Sequence, residues 1–172
     1  MEQKKGIFSA LDLAKYICHM YYAEYKKEIS PIKLQKSLYF CFAYWGGFVR
    51  KNNKNEDYVE EKISLSEYLF NEKFKAWVYG PVIPDIFRKY KDNKINYKNL
   101  DFNSIFDEEN LTVREAIDSL LNELFEVSDF KLVSISHEDE CWKNHFDIFA
   151  EEHNQDIPPE EIINEYAFRK TV

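Results

Sequence analysis

Ser30-Pro31-Ile32-Lys33-Leu34-Gln35-Lys36-Ser37-Leu38-Tyr39-Phe40-Cys41-Phe42-Ala43-Tyr44-Trp45 is the stretch that decides the fold class. Serine ahead of proline is a helix-start signal: the hydroxyl caps a free N–H, and proline is preset for the first turn. Leu34, Leu38, Cys41, Phe42 and Trp45 then recur three and four residues apart, which places them on one helical face. The uncharged run Ser37 to Val49 is only 13 residues long, between Lys36 and Arg50. A spanning helix needs about 20 apolar residues. The stretch therefore predicts a buried core helix, ended by Gly46-Gly47.

Upstream, Ser9 caps a first helix with Asp12 at the third position, in a weak capping box. Ala10, Leu13, Ala14, Ile17 and Tyr21 carry that helix to about Tyr25, so the first two helices form a hairpin. Downstream, Arg50 to Glu61 is charged and Asn-rich and predicts a solvated loop. Ile63 to Phe70 fits a short helix or a strand equally. Phe74, Ala76 and Val78 alternate with Lys75, Trp77 and Tyr79, a period of two that predicts a strand. Its expected hairpin partner is the segment near Leu69, with Gly80-Pro81 breaking the strand. Pro84-Asp85 opens a short helix through Tyr90, and Asp92 to Asn110 is an extended connection. Thr112 and Glu115 form a capping box before Val113, Ala116, Ile117, Leu120, Leu121, Leu124 and Phe125. Ser128 caps another helix, and Pro158-Pro159-Glu160-Glu161 opens a terminal one. With no repeat or Gly/Ser linker, residues 1–172 are expected to form a single domain. The expected fold is mainly α (α+β): a compact helical domain with a small β-hairpin around the Ala-Trp-x-Tyr-Gly-Pro turn.

Composition excludes several function classes. Hydrophobic residues are 45% and aromatics 17% of 172, too much apolar mass for a disordered chain. Four Gly and five Pro leave little room for a turn-rich β-sandwich. The net charge of −8, with no basic cluster longer than a Lys-Lys or Arg-Lys pair, disfavours nucleic-acid contact and suits docking on a basic partner. Cys18, Cys41 and Cys141 are odd in number and widely spaced, which predicts reduced thiols in a cytosol. The start of the chain has no signal-peptide pattern. A cytoplasmic protein is expected, with no membrane contact.

Signs of catalysis are few. There is no Gly-rich phosphate loop, no GxSxG elbow and no protease-like cysteine context. His137, Cys141 and His145 would share one face of a continuous helix and are zinc-ligand types. Eight residues at 1.5 Å each separate the outer two by about 12 Å, too far for one ion. Two of them with His153 remain an alternative, but no metal and no cofactor are expected.

Four local signatures occur in order. They are Ser9-Ala10-Leu11-Asp12-Leu13-Ala14-Lys15-Tyr16-Ile17; Ile32-Lys33-Leu34-Gln35-Lys36-Ser37-Leu38-Tyr39-Phe40; Phe74-Lys75-Ala76-Trp77-Val78-Tyr79-Gly80-Pro81-Val82-Ile83-Pro84; and Ser136-His137 with Trp142-Lys143. Together they resemble the Panacea domain, also called SocA-like and related to GepA proteins. Ser37 and Cys41 depart from the more usual Leu and Ala, Glu140-Cys141 stands where Gly-Pro is common, and the Arg50–Leu69 connection is long. The resemblance implies an antitoxin of a toxin–antitoxin module, not an enzyme. It would act by direct protein binding on a cognate toxin, in some relatives as an adaptor to a host protease. A phage or prophage anti-defence inhibitor on the same scaffold is the alternative, and a small metal-dependent enzyme a third.

The candidate protein-binding residues are Lys33, Gln35, Lys36, Tyr39, Trp77, Tyr79 and Trp142, with Gly80, Pro81 and His137 as structural motif. Lys33, Gln35 and Lys36 read either as a solvated face or as a polar patch that meets the partner or pins the Trp turn. Trp77 and Tyr79 are expected opposite Phe74, Ala76 and Val78, so one set packs inward. His137 and Trp142 are expected to interlock the C-terminal part with the core.

Overall fold

The computed structural model describes residues 5–54 and 63–169. Seven helices and one three-stranded antiparallel sheet occur among these residues. Helix α1 (Ala10–Tyr25) starts at Ser9, whose hydroxyl accepts from the Asp12 N–H, and ends at left-handed Lys26. Helix α2 (Pro31–Lys54) is the axis of the molecule, and most of its circumference is buried. Helix α3 (Pro84–Lys91) follows the sheet, and α4 (Leu111–Glu126), α5 (Asp129–His137), α6 (Glu140–Lys143) and α7 (Pro159–Phe168) complete the set. The mainly α fold expected from periodicity is what the structure shows.

Helix α2 does not stop at Gly46-Gly47; it runs four residues past Arg50. The glycines serve packing instead of termination. A methyl on Gly46 would lie 2.8 Å from Ile163 Cγ1, and one on Gly47 would lie 2.8 Å from the Tyr166 Cβ. Their bare backbone lets α7 cross at close range. Arg50 is accordingly not in a solvated loop. It is 2% exposed, with its guanidinium 2.7 Å from Glu160, paired to Glu67 and bonded to Asn164 at 2.8 Å. The fork geometry of arginine suits such multiple acceptors. The remainder of the expected loop, 55–61, lies outside the described residues.

Strand β1 (Phe74–Trp77) pairs with β2 (Gly80–Val82) on one side and β3 (Gln155–Ile157) on the other, in the order β2-β1-β3. The expected pairing with the Leu69 segment is thus corrected. Residues 63–70 are neither helix nor strand; Tyr68 and Leu69 carbonyls accept from Ile7 and Phe8 N–H groups instead. Gly80-Pro81 opens the partner strand after a tight turn. Phe74 and Ala76 face inward as the alternation requires, but β1 ends at Trp77 and leaves Val78 exposed with Tyr79. The capping box at Thr112 is also displaced, because α4 begins at Leu111 and Asp107 caps the 3-10 turn ahead of it. Ser128 does cap α5, accepting from the Lys131 N–H.

One hydrophobic cluster joins the seven helices with β1 and β3, with Tyr16, Tyr39, Phe40, Phe42, Phe70 and Phe74 almost fully enclosed. Edge-to-face pairs such as Tyr39–Phe74 at 5.4 Å favour the aromatic interior beyond area burial alone.

Candidate protein-binding site

Helix α2 grips the Trp77–Pro81 hairpin from below. Gln35 uses both ends of its amide on Ile83: Nε2 donates to the carbonyl at 3.2 Å and Oε1 accepts from the N–H at 2.9 Å. Lys36 Nζ donates to the Pro81 carbonyl at 2.9 Å. Lys33 Nζ reaches the Phe125 carbonyl at 3.0 Å, at the far end of α4. These three side chains are 3%, 1% and 8% exposed, so they are no solvated face. They occupy the flanks of the apolar stripe, where neighbouring backbone carbonyls take the place of water. Gly80, at φ +102°, lets the turn settle against Lys36 and Ser136.

A second set holds the hairpin from above. His137 Nε2 donates to the Val78 carbonyl at 2.9 Å, and Trp142 Nε1 donates to the Trp77 carbonyl at 2.9 Å. The His137 ring stacks on Trp142 at 4.2 Å, and Trp142 stacks on Phe146 at 4.6 Å. Trp77 is half-buried, with its indole N–H on Asn154 Oδ1 at 3.0 Å. What remains free is the tip, with Val78 at 49% and Tyr79 at 58% exposure. Beside it opens a groove of about 230 Å³, walled by Ile32, Trp77, Tyr79, Val82 and Phe87.

Tyr39 lies elsewhere. It is fully buried and offers no surface to a partner. Its hydroxyl donates to Asp139 Oδ2 at 2.5 Å, and Tyr166 donates to the same oxygen at 2.6 Å. Burial, with the Asp139 charge nearby, holds both phenols well above their ordinary pKa. Glu165 accepts from the Glu140 and Cys141 N–H groups at 3.0 and 2.8 Å, covering the start of the short α6. Trp142 too is mostly enclosed. Asp139 and Glu165 carry no signal in the sequence. Asp139 sits in the acidic run Glu138-Asp139-Glu140, where nothing in composition separates a buried carboxylate from solvated ones.

His137, Cys141 and His145 do not share a helix face, because α5 ends at His137 and α6 starts afresh at Glu140. His137 serves the hairpin, Cys141 Sγ lies 3.3 Å from the Tyr39 hydroxyl, and His145 pairs with Glu161 at 2.8 Å. Asp139, Cys141 and Glu165 do offer ligand-type atoms within 4.8 Å of one another. Their carboxylates already accept phenol and backbone N–H groups, and burial pushes the Cys141 thiol far from its thiolate form. The set is a structural hydrogen-bond network.

The sequence pattern described as antitoxin SocA-like, Panacea domain, matches residues 34–143, well over half of the chain. The chain belongs to that family. The match runs from Leu34 on α2 through the hairpin to Lys143, so it takes in the Gln35–Lys36 grip and the His137–Trp142 clamp of this Panacea domain. No curated protein and no solved structure matches the chain significantly. No helix among the described residues is long and apolar enough to cross a membrane.

Lys36 makes the Panacea core pH-sensitive. Burial alone lowers its pKa to about 7, and among the described residues no carboxylate lies within ion-pair distance of it. Between pH 7 and its ordinary value near 10.5 the unfolded chain holds the Lys36 proton and the folded one does not. Stability therefore rises with pH there, by up to about 1.4 kcal/mol per pH unit. The buried thiols act oppositely. Cys18 and Cys41 are pushed up to about 12, and Cys141 is raised as well, so above pH 9 the unfolded state loses protons that the folded state keeps. Urea midpoints should climb from pH 7 to about 9 and then fall. Lys36→Met should abolish the climb while keeping the fall; an unchanged climb would reassign it to another group.

Proposed function

We propose that this Panacea-domain chain neutralises a protein toxin by binding it directly, with Trp77, Val78 and Tyr79 at the contact. The observation that supports this is a tip braced from both sides yet left exposed. Gln35, Lys36, His137 and Trp142 bond the backbone of Ile83, Pro81, Val78 and Trp77 in turn, while the Val78 and Tyr79 side chains face solvent. A preformed aromatic anchor loses little conformational entropy on binding, which is the pattern of an interface hot spot. Lys33, Gln35, Lys36, Tyr39 and Trp142 then act behind the surface, as its scaffold. The net charge of −8 favours a basic toxin surface.

Co-expression with the adjacent open reading frame tests the reading. The neighbour should arrest growth alone, be tolerated with this chain, and co-purify with it at unchanged abundance. A fall in its abundance would mark delivery to a host protease instead of occlusion. Tyr79→Asp should weaken the complex at least about tenfold, by placing a charge in a desolvated contact. Its urea midpoint should stay near the wild-type value because Tyr79 is exposed. A harmless neighbour that does not co-purify would end the toxin reading.

A further inference from the structure

The turn between α6 and β3 presents the most exposed large apolar side chain among the described residues, with a second beside it. Phe149 is 94% exposed and Ile148 70%. Isolated exposed apolar residues are ordinary, but this pair stands on a built support. Asp147 Oδ1 accepts from the Phe149 N–H at 2.9 Å, and its carbonyl accepts from the Ala150 N–H at 3.1 Å, closing an Asx turn. Below the turn, Phe146 stacks on Trp142 at 4.6 Å and meets the tilted His153 ring at 4.7 Å. His145 is tied to Glu161, and Asn154 to the Trp77 indole. Both ends of the segment are therefore fastened while its centre projects.

The turn itself carries charge of one sign. Residues 147–156 contain Asp147, Glu151, Glu152 and Asp156 and no Lys or Arg, and all four acids are exposed. Asp156 is paired with Lys75 at 2.9 Å, so Asp147, Glu151 and Glu152 make up the acidic collar. We infer that Ile148 and Phe149 are a second protein-docking anchor, seated in a partner's apolar pocket whose rim carries lysine and arginine. The acidic collar would repel an anionic lipid surface and another copy of the same turn, whereas it complements a basic rim. An aromatic side chain held in place in advance, ringed by charges that steer approach, matches the anatomy of an anchor with a polar rim. The inference rests on the chain being a binding protein, and it does not depend on the partner being a toxin.

A photo-reactive benzoyl-phenylalanine placed at Phe149, in cells of the source organism, gives a direct test. Placement at Phe130, which is 75% exposed on α5, is the control. The expected result is a discrete protein adduct from position 149 and none from 130, with the cross-linked peptide apolar and bordered by Lys or Arg. Glu151→Lys with Glu152→Lys should cut that adduct at least about tenfold while circular dichroism stays unchanged. Absence of a discrete adduct, equal adducts from both positions, indifference to the charge reversal, or cross-linking to phospholipid would each overturn the inference. An adduct together with a harmless neighbouring gene product would uphold the anchor and remove the toxin reading.

Discussion

Replacing Gly80 by alanine should destabilise the protein by about 2–6 kcal/mol. Two independent costs add. At φ +102° an L side chain occupies a region that only glycine enters freely, a penalty of about 1–3 kcal/mol. The new methyl would also sit 2.4 Å from Ser136 Oγ and 3.0 Å from Lys36 Cε. Neither neighbour yields easily: Ser136 is fully buried and donates to the Val133 carbonyl at 2.8 Å, and Lys36 is bonded to Pro81. Overpacking of that kind costs about 1–3 kcal/mol more. Thermal unfolding should show a midpoint lowered by about 10 °C. The double variant Gly80→Ala with Ser136→Gly should recover the steric part and keep the backbone part. A loss below about 1 kcal/mol for the single variant would mean that the turn relaxes and the grip on it is slack.

The second large effect belongs to Asp139. Asp139→Ala should cost about 3–5 kcal/mol, because it removes the acceptor of two buried phenols at once. Tyr39 and Tyr166 both donate to one Asp139 oxygen, and all three residues are almost fully enclosed. A buried hydroxyl that loses a charged acceptor is no longer compensated for its lost hydration, and the Cys141 Sγ at 3.3 Å from Tyr39 is only a weak substitute. Asp139→Asn retains an acceptor oxygen and should cost less. In a background of Tyr39→Phe with Tyr166→Phe, Asp139→Ala should cost at least about 1 kcal/mol less than in the wild type. Equal costs in the two backgrounds would show that the phenols do not depend on the carboxylate.

Much of the fold is legible in the sequence wherever one residue type has one physical use. Ser9 and Ser128 are caps because a short hydroxyl at a helix start has few other roles. Leu34, Leu38 and Phe42 announce a helix by spacing, and Phe74 and Ala76 announce a strand. The misreadings fall where a residue has two uses that only the neighbouring chain decides. Gly46-Gly47 can end a helix or admit one, and the arrival of Ile163 and Tyr166 from over 110 positions away selects the second. Lys36 leaves a solvated face and a pin on the Trp turn both open until the Pro81 carbonyl is seen to lie across from it. The strand partner 155–157 is similarly invisible, since three polar-leading residues carry no period. Asp139 is one acid among three.

The candidate site was legible in composition and not in arrangement. Trp77 and Tyr79 stand at the hairpin tip region, half-buried and exposed respectively, whereas Tyr39 lies in the core network. A list of polar and aromatic residues on one helix cannot distinguish those that meet a partner from those that shape the surface behind it. That distinction depends on what packs across the helix.

The place of β3 bears on timing. Strand β1 has neighbours on both edges, and one of them comes from residues 155–157, made long after the strand itself. Asn154, which receives the Trp77 indole N–H, is made just before it, and α7, which fills the glycine cleft of α2, just after. Until residues 154–168 are made, β1 has one open edge and the glycine cleft of α2 has no occupant. The sheet and the α2–α7 crossing therefore close only after the hairpin and its four bracing side chains have been made.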